Sequence, residues 1–158
     1  TESMIPALQP GDRLWVDRLA YGLRWPLSGA ALAGSTLPRR GEVVVFRYPR
    51  EPSTAFVKRV IALPGDRIVI DGRRIELNGR PLVRPWPVQR GVVTQSVELG
   101  GTAFEVRVDF SKPAAPVVLD LVVPAGHLFV MGDNHDLSED SRHWGLVAEQ
   151  HLLGRVEQ

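Results

Sequence analysis

Three segments share one design: "GDRLWV" (11–16), "GEVVVF" (41–46) and "GDRIVI" (65–70). Each sets a glycine and an acid at a turn, then a run of β-branched or aromatic side chains. Glycine supplies the positive φ that tight turns need, and β-branched side chains pack best on a pleated surface. With 15 Gly and 13 Pro spread over 158 residues, the chain has room for many short strands and little for long helices. The spacings are irregular, so this is recurrent turn chemistry and not a repeat.

Hairpin signals fill the middle. "IVIDGRRIELNGRPL" predicts strands around a tight primed turn at Asp71-Gly72 and a second turn at Asn78-Gly79. "GVVTQSVELGGTAFEVRVDF" predicts a hairpin turning at Gly100-Gly101, and "VVLDLVVPAGHLFVMGDN" supplies two more strands. Helix signals are few: a short turn within 16–22, and one or two turns in "LVAEQHLLG", ending at Gly154. The stretch 22–38 has no clear period and reads as a long loop, apolar for its exposure. The predicted fold class is mainly β. An antiparallel sheet core from 1–66 together with 125–158 carries the motifs, and a hairpin-built β insertion spans 67–124, with one or two short helices.

Charge excludes some functions. The formal net charge is +1, with no dense basic run, which argues against nucleic-acid binding. There is no cysteine, hence no disulfide framework and no thiolate metal site. No run of 18 apolar residues occurs, so nothing here is long enough to span a bilayer as a helix. The chain opens "TESMIPAL" without an initiator methionine, as a trimmed or processed product does.

Among 19 basic residues only Lys58 and Lys112 are lysines. Arginine keeps its proton in proteins, whereas a desolvated lysine can lose it. Lys58 sits inside "AFVKRVIALPGD", an apolar run that ends in a turn. It is either an edge-strand lysine reaching solvent past its packed stem or a buried amine with chemistry to do. A neutral amine can act as general base once burial brings its pKa to roughly 7–8. A hydroxyl needs such a base to become a nucleophile, and Ser3 in "TESMIPAL" is one candidate. Taken alone, a serine such as Ser3 is usually only a solvated hydroxyl.

"MGDNHDLSEDSRHWG" (131–145) is dense in short polar groups after an apolar strand. As a calcium loop it fails: counted from Asp133, the sixth position is Ser138 and the twelfth Trp144, where an EF-hand needs Gly and Glu. It remains either an Asx-rich loop or a scaffold whose hydroxyl and Asp–Arg pair orient an active-site amine. His127, His135, His143 and His151 fall eight residues apart, without the four-residue spacing or carboxylates of a helical metal site. A Ser-His-Asp triad through His135 or His143 stays open, since triads are defined by geometry.

Together, "SMIPAL", "FVKRVIALPGD" and "GDNHDLSEDSRHWG" resemble, in order, three boxes of the type I signal peptidase (leader peptidase) family. "GDRLWVDRLAYG" and "RRGEVVVFRYP" are further echoes. The resemblance covers most of 1–66 and 125–158 and little of 67–124. Family members are serine–lysine endopeptidases that remove signal peptides from exported preproteins, cutting after small residues. By this resemblance Ser3 is the nucleophile, Lys58 the general base, and Ser138 the hydroxyl that hydrogen-bonds the Lys58 amine. Asp140 and Arg142 form a supporting pair. The Ser3 N–H is one oxyanion donor and Thr1 the position of a second, hydroxyl donor. Met4, Leu8, Phe56 and Val57 are candidates to line the substrate pockets, or else plain core. The sequence departs from the boxes at Ala7, Ala62, His135 and Leu137, none of which is a proposed catalytic group.

The resemblance further implies no cofactor or metal, a monomer, and preprotein signal peptides as partners. It implies a membrane anchor upstream of Thr1, absent from this chain, with the catalytic domain on the periplasmic side of the bacterial inner membrane. Trp25, in the apolar loop, is expected to touch the lipid surface. Alternatives are a specialised Ser-Lys processing peptidase of conjugative-transfer type, and a β-rich binding module without catalysis. Self-cleaving repressors share the chemistry, but the chain shows no DNA-binding helices.

Overall fold

The structure, a computed structural model, describes residues 2–24, 31–33, 36–83 and 90–157. Its strands are β1 (Trp15–Asp17), β2 (Leu23–Arg24), β3 (Ala31–Ala33), β4 (Val43–Tyr48), β5 (Glu51–Ala62), β6 (Arg67–Asp71) and β7 (Arg74–Leu77). They continue with β8 (Arg80–Pro81), β9 (Val92–Leu99), β10 (Thr102–Asp109), β11 (Val118–Val122), β12 (His127–Met131), β13 (Val147–Ala148) and β14 (Leu152–Glu157). One four-residue helix, α1 (Ser141–Trp144), precedes β13, and 3₁₀ turns occupy Glu2–Met4 and Glu149–His151. The described fold is mainly β with antiparallel ladders, as the turn chemistry predicts.

The largest sheet has the order β1-β14-β4-β5-β12-β13. The segment 67–124 forms a four-stranded sheet, β11-β6-β7-β8, and the β9–β10 hairpin. Its turns follow local rules. Leu77 pairs with Arg80 around Asn78-Gly79, whose φ values of 52° and 74° are those of a type I′ turn. Leu99 pairs with Thr102 around Gly100-Gly101 in the same way. At the first hairpin the loop residues are Gly72 and Arg73, one place beyond the Asp71-Gly72 expected, because Asp71 itself pairs with Arg74.

The helix expectations are met only in part. The 16–22 stretch starts inside the edge strand β1, whose Val16 pairs with Val156, and then turns. "LVAEQHLLG" yields β13, one 3₁₀ turn and the start of β14. Leu152, Gly154 and Val156 are buried in alternation along β14, and β4 gains its second neighbour there. Period-two burial thus overrides helix propensity. The 22–38 stretch holds the short β2–β3 ladder, while Trp25 and Thr1 lie outside the described residues.

One apolar cluster joins the sheets of 67–124 to the large one, packing Ile61, Phe129 and Met131 against Ile68, Ile70, Val97 and Phe104. A second holds Val44, Phe46, Val60 and Trp144, with Tyr48 stacked on Phe56 at 4.4 Å. Between the sheets runs a buried ion pair: Arg59 donates to both Asp133 oxygens at 2.8 and 2.7 Å and to Gly41 O at 2.6 Å. The Arg59 guanidinium lies over the Phe104 ring at 4.2 Å. Removing one partner of such a pair costs about 3–5 kcal/mol, because the other is left charged and dry.

Candidate active site

The 3₁₀ turn Glu2–Met4 carries Ser3, which is 4% exposed. Lys58 lies in β5 opposite Val44 and is also 4% exposed, so its stem does not reach solvent. Its Nζ is 2.6 Å from Ser3 Oγ. A charged amine donates across that distance; a neutral one can accept the hydroxyl proton. Burial pushes the Lys58 amine below its ordinary value. The Asp140 charge opposes the shift and the Arg142 charge adds to it. The Phe56 ring closes one side, its centroid 5.6 Å from Nζ.

The 132–145 loop follows β12. Asp140 has no exposed surface. It accepts from Gly132 N–H at 3.0 Å, and from Arg142 Nε and an Nη at 2.8 Å each. It also caps α1 through Arg142 N–H. Burial pushes its carboxyl up, but the Arg142 guanidinium, together with the nearby Ser138 hydroxyl and the Gly132 N–H, holds it below the usual carboxylate range. Arg142 also donates to His135 O at 2.9 Å, which ties the loop's two ends together.

The loop's electrostatics predict a pH effect. If neutral Lys58 is the base, activity falls as pH drops through its lowered pKa. Replacing Arg142 by Gln removes the positive charge that depresses Lys58 and leaves the Asp140 carboxylate unopposed. Both changes raise the lysine's pKa. The acid limb of kcat/KM in Arg142→Gln is therefore expected at higher pH than in wild type. At a fixed pH on that limb, activity should drop about tenfold for every pH unit by which the limb moves. An unmoved or downward-shifted limb would rule out electrostatic coupling to Lys58.

The expected hydrogen bond from Ser138 to the Lys58 amine is not formed. Ser138 Oγ is buried without a hydrogen bond, although it lies close enough to Asp140 to favour that group's charged form. Ser138 instead packs on Gly132, where a β-carbon would stand 2.6 Å from Ser138 Cβ and inside contact distance of Ser138 Oγ and Ser3 O. Met4, Leu8 and Val57 share a small cluster with Val43 and Val156, whereas Phe56 belongs to the Phe46–Trp144 cluster. The four candidates therefore fall in two groups. Of the histidines, His135 has its ring pushed down to about 3 by burial and the nearby Arg142 charge, which makes it a poor proton acceptor at neutral pH. His143 faces Glu139 at 3.9 Å.

β12 pairs with β5 only at Arg59, Val60 and Ala62. Among the described residues, 51–58 have β4 on one side and no strand on the other. This open edge runs up to Lys58 and can take an extended peptide by main-chain hydrogen bonds.

The profile of the family described as "Signal peptidase, peptidase S26" matches residues 1–158. The chain belongs to that family. It is 37% identical to Signal peptidase I of Pseudomonas aeruginosa over 170 residues, which takes in 98% of this chain and 60% of the relative. Identity to the Pseudomonas fluorescens protein of the same name is 34%, with the same coverage. The chain thus spans about three fifths of the length of these relatives. The fold is similar to a crystal structure of a signal peptidase I from Enterococcus faecalis, at TM-score 0.51 and 23% identity, covering 77% of this chain and 98% of that one.

Three parts of this peptidase-family site escaped the reading of residue types. The Arg59–Asp133 pair had a faint signal, an arginine inside the same apolar run as Lys58. Gly132 and Asn134 open the third box, but residue type alone does not show what they touch.

Proposed function

We propose that this chain is the catalytic part of a serine endopeptidase that removes N-terminal signal peptides from exported preproteins and cuts after small residues. The buried 2.6 Å contact between Lys58 Nζ and Ser3 Oγ carries the reading. In a non-catalytic module, burying an amine against a hydroxyl would be a cost without a return.

Ser3 Oγ attacks the scissile carbonyl carbon while Lys58 takes the hydroxyl proton. Negative charge develops on the carbonyl oxygen, facing the Ser3 N–H and, by resemblance, the Thr1 hydroxyl. Lys58 then gives its proton to the leaving amine, and the mature protein departs with a new N-terminus. Water, deprotonated by Lys58, hydrolyses the acyl-enzyme and frees Ser3. Asp140, Arg142 and Ser138 support the lysine, Ser138 engaging the amine once Ser3 has released it. The signal peptide adds along the open edge of β5, with Met4, Leu8, Phe56 and Val57 beside it. Residues 1–66 with 125–158 form the catalytic core, and 67–124 is an insertion upon it. The domain works as a monomer on the periplasmic side of the inner membrane, held there by an anchor upstream. Among the described residues no helix is long and apolar enough to cross a membrane.

The test is cleavage of a purified preprotein, with the product N-terminus read by mass spectrometry. Wild type is expected to cut once, after a small residue, and Ser3→Ala to lose at least about 10⁴-fold in rate. Retained activity in Ser3→Ala would remove the nucleophile from this account. Cutting after large residues would remove the signal-peptide specificity.

A further inference from the structure

The oxyanion donor in this mechanism is a backbone N–H, and its direction depends on the peptide group that carries it. A trans peptide is planar, with its C=O and N–H pointing to opposite sides. Whatever holds the Glu2 carbonyl therefore aims the Ser3 N–H. Two donors hold it: Ile5 N–H at 3.3 Å, from within the same short turn, and Asn134 Nδ2 at 3.2 Å, from the 132–145 loop. A three-residue 3₁₀ turn is too short to hold its own shape. The bond from Asn134 is thus its tie to the body of the protein on this side.

Asn134 holds the following peptide as well. Its backbone N–H donates to Ser3 O at 3.0 Å. A single residue thus fixes the peptide groups on both sides of the nucleophile, one with its side chain and one with its main chain. Asn134 is itself anchored. It is 3% exposed and bridges Arg107 of β10, with Arg107 N–H donating to Asp133 O at 2.8 Å and His135 N–H to Arg107 O at 2.9 Å. The frame runs from β10, in the inserted segment, through Asn134 to Ser3.

We propose that Asn134 is a positioning residue for the oxyanion site: its side-chain amide, hydrogen-bonded to the Glu2 carbonyl, orients and polarises the peptide whose N–H at Ser3 receives the developing oxyanion. The carbonyl can only accept, so the atom facing it must be the amide nitrogen. Donation to a carbonyl draws electron density from its own N–H and strengthens it as a donor. The proposal rests on the Ser3–Lys58 reading above.

Asn134→Asp has nearly the same shape but turns the donor into a charged acceptor against the Glu2 carbonyl. Asn134→Ala removes the side-chain bond and keeps the backbone one. Both are measured beside wild type and Ser3→Ala for kcat, KM, the pH profile of kcat/KM, thermal unfolding, and inhibition by a substrate-like peptide aldehyde. The aldehyde adds to Ser3 to give a tetrahedral hemiacetal whose oxygen occupies the oxyanion site.

Each Asn134 variant is expected to lose about 10²-fold in kcat, the lower bound for losing one oxyanion donor. KM should stay within about twofold, the aldehyde should weaken in step with kcat/KM, and the acid limb should not move. Kinetics like wild type, or aldehyde affinity unchanged while kcat falls, would overturn the proposal. So would loss of kcat only in proportion to unfolded protein, or failure of both variants to fold, which would make Asn134 a structural tie. An inactive Ser3→Ala beside fully active Asn134 variants removes only the role of Asn134. An active Ser3→Ala removes the nucleophile and this proposal with it.

Discussion

Lys58→Arg is expected to be inactive, at least about 10⁴-fold below wild type, while Lys58→Met is equally inactive and more stable than wild type. The arginine variant keeps the charge and removes the proposed base, since a guanidinium does not deprotonate in proteins. It also brings a larger, permanently charged head into a site that is 4% exposed, so it should lose stability too. Methionine has a similar length, fits against Phe56, and ends the desolvation that depresses Lys58.

The pH dependence gives this prediction its sign. The lysine's folded pKa lies below its ordinary value of 10.5. Below pH 10.5 the unfolded chain therefore binds a proton that the folded protein holds less readily, and folding is penalised. The penalty shrinks as pH rises toward 10.5 and vanishes above it. Lys58→Met should unfold at a higher temperature than wild type at pH 7, by about 2–4 °C per kcal/mol relieved, and the gap should narrow by pH 10. Thermal melts at the two pH values check it. An active arginine variant would mean that Lys58 is only a tolerated charge; a methionine variant no more stable than wild type at pH 7 would mean that burying the amine carries no penalty.

Gly132→Ala should also be damaging, although less so than loss of Lys58 and although it changes no reacting group. The added β-carbon meets Ser138 Cβ at 2.6 Å and overlaps Ser138 Oγ and Ser3 O. One contact is backbone and belongs to Ser3, the proposed nucleophile, so no rotamer change relieves it. Gly132 N–H is also fixed on Asp140 at 3.0 Å, so the strain must be released by displacing the Ser3 turn or Ser138. Displacing a catalytic group by about 1 Å costs on the order of 10²-fold in rate, and overpacking costs about 1–3 kcal/mol of stability. We expect both losses together.

Gly145→Ala separates steric overlap from backbone strain. Gly145 has φ of 95°, and a β-carbon there meets nothing within 4 Å. That variant should lose stability through its backbone and keep kcat within a few fold. Equal kinetic losses in the two glycine variants would mean that the 132–145 loop is merely sensitive to any change, and that contact with Ser3 is not the cause.

Much of the fold was legible because turns are written in adjacent residues. Asn78-Gly79 and Gly100-Gly101 each determine a tight turn and, through it, the register of the strands they join. Where local preference and packing disagreed, packing won. Residues 152–157 have helix-forming neighbours but run as a strand, because β4 needs a partner and Leu152 and Val156 need a core. α1 was missed because four residues capped by Asp140 carry no period.

The site divides along the same line. A lone lysine within an apolar run, and three ordered boxes, were enough to single out Ser3, Lys58, Ser138, Asp140 and Arg142 as residue types suited to one chemistry. The 2.6 Å contact between two side chains 55 positions apart was not in the sequence, nor was the Arg59–Asp133 pair across 74 positions. The departure of Ser138 from Lys58, the close approach at Gly132 and the grip of Asn134 on both peptides of Ser3 belong to tertiary structure alone. Residue identity sets which proton a group can give or take. Desolvation and orientation, which decide whether it does so, come from neighbours that only folding brings together.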